Sequence, residues 1–278
     1  MRLAESFMSR FIGIDFSGSA PRWAARATRT NVWIAYLSDD ERPRLTGLIP
    51  VQQLPGDGAP FDRLAAMLAK GDFDAAAIDA PFAVPSEYAP AGGWPALLAL
   101  VGNLPHEKRP FPRGDALVQA LMGPDGGQGR KSYRATEKHW IQQGVNVRST
   151  LWNGPRGGSP FTVAALYLLA RAARPVWPWQ HGPGMLVEAF PAAQLRAWGL
   201  AHQGYNGDTA AAKKARAAIV VHLAGKVDLG AHVAAVRGNA DALDALLCAF
   251  AARAAWNGTT PTPGVLASIE GEIAVEPG

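Results

Sequence analysis

Only one cysteine, Cys248, occurs in 278 residues. A single thiol excludes an internal disulfide and a cysteine cage for zinc, and it suits a reducing compartment, so a cytoplasmic location is expected. The six histidines show no metal-ligand spacing. No apolar run reaches the ~20 residues of a membrane helix, so no membrane association is expected. The opening MRLAESFMSRFIGID has Glu5 and Arg10 flanking a very short apolar stretch and does not read as a signal peptide. Internal repeats are absent. Charge is scarce too: 18% of residues are charged and 48% hydrophobic, a balance that excludes a disordered chain and supplies one large core.

The charge that is present is unevenly placed. The chain carries +4, yet residues 101–160 hold nine basic side chains against four acidic ones, a net of +5, which leaves −1 for the remainder. A local basic excess suits a phosphate-bearing partner, with a solvated surface as the plainer alternative.

Apolar patterning predicts strands at RFIGIDF, NVWIAYL (31–37), RLTGLIP (44–50), FDAAAID (73–79) and GMLVEAF (184–190). Helices are predicted at 60–71, 191–200, 208–225 and 239–256. The tail IEGEIAVEPG reads as a short edge strand. Residues 81–183 turn to Gly, Pro, Trp and Arg, with short helices expected at 115–122 and 160–173, and read as a loop-rich insertion into a core formed by 10–80 and 184–278. Three strands, a helix, a strand, then a helix-linked strand and a C-terminal helix is the element order of a ribonuclease H-like mixed five-stranded α/β sheet in one domain.

Three predicted strands end in acids: Asp15 in GIDF, Asp79 in AIDA and Glu188 in VEAF. The C-terminal helix adds Asp241 and Asp244. In the expected order Asp15 and Asp79 lie side by side, with Glu188 one strand further out. Carboxylates brought together repel unless a cation sits between them, and oxygen-only ligands select Mg²⁺ or Mn²⁺. Two such ions activate a water and stabilise the leaving oxygen in phosphodiester hydrolysis. At ~100° per residue, Asp244 borders the stripe of Leu243, Leu246, Leu247 and Phe250 while Asp241 points away. Asp244 is therefore the expected ligand and Asp241 a cap or outer partner. Taken singly, each acid also has a structural reading: Asp15 and Asp79 as turn caps, Glu188 as the partner of a basic insertion residue, and Asp241 and Asp244 as an N-cap and its N3 partner.

The set GIDFSGS, AIDAPF, YRATE (133–137), VEAFPAA (187–193) and DALDALLCAFAA (241–252), followed by EGEIAVEP, resembles the domain of unknown function 429 family, predicted nucleases of the ribonuclease H-like superfamily. The resemblance covers most of the chain, in order. It implies metal ligands at Asp15, Asp79 and one or both of Asp241 and Asp244, with Glu188 in a matching motif. A nucleic acid or other phosphodiester substrate follows from it.

Substrate contacts are expected from Ser17 in the small-residue loop, from Arg130 and Lys131 in GGQGRKS, and from Arg134 with Glu137, which also read as a structural ion pair. GGQGRKS fails the Walker pattern because Arg130 occupies the glycine position before Lys131. Trp94, Trp140, Trp152, Trp177 and Trp179 either stack bases or anchor the insertion. Two alternatives stand beside the nuclease. An actin-like ATPase or kinase relative would share GIDFSGS but needs a second Gly-rich loop, and an inactive nucleic-acid-binding scaffold would bind without cleaving.

Overall fold

The computed structural model describes residues 10–27 and 31–278, so most of the opening MRLAESFMSRFIGID lies outside the described residues. Five strands, β1 (Phe11–Ile14), β2 (Trp33–Leu37), β3 (Leu45–Pro50), β4 (Ala75–Asp79) and β5 (Met185–Ala189), form one sheet in the order β3-β2-β1-β4-β5. The first three make an antiparallel meander, and β4 and β5 run parallel to β1. The helices are α1 (Pro60–Lys70), α2 (Gly93–Gly102), α3 (Gly114–Met122), α4 (Ala135–Gln142), α5 (Ser159–Ala172), α6 (Pro191–Ala197), α7 (Ala210–Lys226), α8 (Val233–Gly238), α9 (Ala240–Trp256) and α10 (Ala267–Glu270).

Strand alternation sorts two cores. Ile12, Ile14, Ile34, Ala76, Ile78 and Leu186 face one way, against Leu64 and Leu68 of α1 and Val163, Leu166 and Leu169 of α5. Phe11, Ala35, Ala75, Ala77, Met185 and Val187 face the other way, against α9. On that second face the sheet offers small residues, and α9 answers with Ala242, Ala245, Ala249 and Ala252. Small surfaces on both sides let helix and sheet backbones approach closely.

Residues 81–183 do more than decorate the core. They hold four α-helices, not two, and α2, α3 and α1 all pack on α5 in the layer covering the first sheet face. Helix α2 escapes sequence reading because GWPALLALVG is apolar nearly all round and carries Pro95, which an opening helical turn tolerates. The tail departs from the expected strand. It forms α10 and a single bridge, Ala189 with Ala274, in which the Ala274 N–H donates to the Glu188 carbonyl at 2.9 Å. Trp94, Trp140 and Trp177 are buried, and Trp94 stacks on Trp179 at 4.3 Å, which fits the anchoring reading of these rings. Among the described residues, no helix is long and apolar enough to cross a membrane.

Candidate functional site

Register places two aspartates side by side. Phe11 pairs with Ala75, Gly13 with Ala77 and Ile14 with Ile78, so Asp15, one residue past β1, comes alongside Asp79 at the end of β4. Both follow the parity of Gly13 and Ala77 and face α9. The helix comes within backbone contact of the strand there, because a Cβ on Gly13 would lie 1.9 Å from the Ala245 carbonyl oxygen and 2.3 Å from the Ala249 nitrogen. Only glycine admits that approach, which brings Asp244, the neighbour of Ala245, down over Asp15. Asp15 is 7% exposed and Asp244 9%.

Asn239, not Asp241, caps α9: its side-chain oxygen accepts from the Asp241 and Ala242 N–H groups at 2.8 and 3.3 Å. The cap expected at Asp241 is therefore corrected, since the helix starts one turn-position earlier than the aspartate pattern suggests. Asp241 is free to reach the cluster's rim and stands half-buried.

All four carboxylates are raised, and Asp15 and Asp244 are raised in part by their neighbours in the cluster. Burial, then the charges of Asp244, Asp79 and Asp241, push Asp15 well above the usual carboxylate range. Burial and Asp79 likewise push Asp244 well up, against a hydrogen bond from Tyr205. Burial raises Asp79 to about 7, opposed by Arg148 and reinforced by Glu188. Asp241 is raised by burial and opposed by Arg22. Among the described residues no group of three or more His, Cys, Asp or Glu stands in ready metal-binding geometry. The donors are nonetheless carboxylate oxygens only, and their mutual repulsion is what a hard dication relieves. Cys248 lies one turn beyond Asp244, buried, with its thiol pushed well up by burial and the neighbouring aspartates, so it stays protonated.

Tyr205 donates its hydroxyl to Asp244 Oδ1 at 2.8 Å in a buried setting. Burial and the Asp244 charge raise this phenol well above its ordinary value, so it remains the donor. Behind it, buried Arg216 donates to the carbonyls of Tyr205, Gly207 and Arg237. On the other side, exposed Arg148 lies 5.0 Å over the Phe161 ring. The Phe161 backbone abuts the loop after Asp15, where a Cβ on Gly18 would stand 2.5 Å from the Phe161 nitrogen. Ser17 in that loop is buried; its Oγ accepts from the Ser19 N–H at 3.2 Å and its carbonyl from Trp23 Nε1 at 2.8 Å. Arg130 and Lys131 are exposed, with the Lys131 ammonium 5.1 Å over the Trp152 ring.

Glu188 stands out of phase with the aspartates. It pairs in register with Ile78, so strand alternation turns it to the opposite face. There the Arg134 guanidinium holds both its oxygens, Nη1 at 2.8 Å and Nη2 on the other, while the Phe82 N–H donates at 2.8 Å. Arg134 also reaches Glu137 Oε1 at 3.1 Å and the Glu270 carbonyl at 3.0 Å. The Ala135 and Ser86 N–H groups meet the Glu270 carboxylate. Arg134 and Glu137 are each 1% exposed, so neither offers a surface to substrate. This buried network ties α4, β5, the loop after β4 and α10 together. The expectation of Arg134 and Glu137 as substrate contacts gives way to this structural role, and Glu188 reaches the cluster only through its charge on Asp79.

Tyr205 and Arg148 lie in irregular segments where periodicity carries no signal, and sequence reasoning did not single them out for this site. Neither a curated protein nor a solved structure matches the chain. The family model described as "Protein of unknown function (DUF429)" matches residues 13–267, and the chain belongs to that family.

Proposed function

We propose that the protein is a divalent-metal-dependent phosphodiester hydrolase of ribonuclease H-like architecture, acting on nucleic acid. The observation that carries this reading is the convergence of Asp15, Asp79 and Asp244, from two adjacent parallel strands and the helix crossing them, where Asp244 and Asp79 raise the proton affinity of Asp15 and Asp79 raises that of Asp244. The strand order, an antiparallel meander joined to parallel strands, supports the fold assignment.

In this reading Asp15, Asp79 and Asp244 hold Mg²⁺ or Mn²⁺, with Asp241 at the rim. The bound ions supply an activated water and charge stabilisation at the leaving oxygen. Tyr205 fixes one oxygen of Asp244 and thereby its orientation. Arg148, exposed beside Asp79, offsets the negative charge a phosphate brings and positions it through a guanidinium fork. The loop after β4 argues against an ATPase: Ala80-Pro81-Phe82 lacks glycine, and its Phe82 N–H is spent on Glu188.

The test is incubation of labelled single- and double-stranded DNA and RNA with Mg²⁺, Mn²⁺ or EDTA. Cleavage dependent on the metal and lost in Asp15→Asn is expected, with Mn²⁺ affinity falling in the same variant. Cleavage or Mn²⁺ affinity unchanged in Asp15→Asn would overturn the reading.

A further inference from the structure

A groove of about 870 Å³ lies between α7 and α8, lined by Lys213, Lys214 and Arg237 around Ala217, Val233 and Ala234. The three cations are exposed, and among the described residues no carboxylate pairs with them. Three like charges around one concavity raise a local positive potential that attracts an anion. Every other basic feature noted in the sequence belongs to residues 101–160, so this patch is a separate one.

The groove is joined to the aspartate cluster through the chain and through hydrogen bonds. Its wall ends at Arg237 and Gly238, and the next residue, Asn239, caps the helix that carries Asp241 and Asp244. Its floor is backed by Arg216, whose guanidinium joins the Arg237 carbonyl at 3.1 Å to the Tyr205 backbone, and Tyr205 holds Asp244. A polyanion approaching four carboxylates is helped by cations on its path, and here the fold offers Lys213 and Lys214 of α7 and Arg237 of α8.

We propose that this groove binds the phosphodiester backbone of a nucleic-acid strand leading into the aspartate site, with Lys213, Lys214 and Arg237 on phosphates and the Ala217–Val233–Ala234 floor against sugars. The proposal rests on the hydrolase reading for its direction along the strand, but its test is binding without metal.

Fluorescence anisotropy of a labelled single-stranded oligonucleotide in EDTA, as a function of salt, measures it. Each phosphate contact on a single strand contributes roughly 0.7 to the log–log salt slope. Lys213→Ala/Lys214→Ala/Arg237→Ala should therefore flatten the slope by about 2, while Lys213→Arg/Lys214→Arg keeps it and shows that charge, not folding, is read. Binding through these cations without metal-dependent cleavage would uphold the groove while the hydrolase reading fails. An unchanged slope in the triple variant, no binding by the native protein, or displacement by polyglutamate as effective per charge as by unlabelled oligonucleotide would overturn the proposal.

Discussion

Gly13 of β1 and Ala245 of α9 stand in backbone contact, with room for no side chain between them: a Cβ on Gly13 would sit 1.9 Å from the Ala245 carbonyl oxygen. Asp15 lies two residues beyond one of them and Asp244 one residue before the other. Gly13→Ala must therefore push the helix off the strand or strain both. Overpacking of this kind costs about 1–3 kcal/mol. Urea melts should show that loss, and calorimetry should show weakened Mn²⁺ binding with it. A variant as stable as the native protein would mean that the approach does not position the aspartates.

Asp244 and Asp241 should respond differently to substitution. Removing a carboxylate from a repelling cluster relieves it, so Asp244→Asn is expected to be as stable as the native protein or more so in EDTA, and less responsive to added Mg²⁺. Capping belongs to Asn239, so Asn239→Ala should cost about 1 kcal/mol, whereas Asp241→Asn spares the cap. Thermal melts with and without Mg²⁺ separate the cases. Full loss of the metal response in Asp241→Asn alone would reverse the two assignments.

Stability should fall as pH rises in the absence of metal. Asp79 holds its proton to about pH 7 in the fold, against an ordinary value of 3.8. Between about 4 and 7 the folded state thus binds a proton that the unfolded chain has released, and stability declines across that window, with the contribution of Asp79 complete above it. Asp79→Asn should flatten the decline. Melts in EDTA from pH 4 to 8 that instead show rising stability, unaffected by Asp79→Asn, would contradict the buried-cluster electrostatics.

Arg134 should prove a structural residue. Truncating one member of a buried ion network leaves the other charges uncompensated and costs about 3–5 kcal/mol. Arg134→Ala should lose that much, and Arg134→Ala/Glu188→Gln should recover part of it. A stable Arg134→Ala with weakened oligonucleotide binding would restore the substrate-contact role.

Much of this was legible in the sequence, for physical reasons. Strands β1, β4 and β5 are short apolar runs ended by a charge or a turn, and α9 is a long Ala-rich segment, so their existence and order follow from patterning. Asp15, Asp79 and Asp244 were visible as acids at element ends. The face of Glu188 was not, because the Ile78–Glu188 register depends on how β5 docks beside β4, and a slip of one residue reverses every side chain. Tyr205 and Arg148 reach the site from irregular loops held by tertiary contacts, which leave no period to read. Of the four helices of 81–183, α2 was hidden by its nearly all-round apolar surface and Pro95, and α4 by its length of only eight residues.

The central claim is that Asp15, Asp79 and Asp244 share a divalent ion. Anomalous diffraction from a crystal soaked in Mn²⁺ tests it most directly. The account predicts a manganese peak between the three carboxylates, ~2.0–2.2 Å from oxygens of at least two of them, and its loss in Asp15→Asn. A saturated crystal with no peak at that cluster, or with manganese bound only elsewhere, would contradict it.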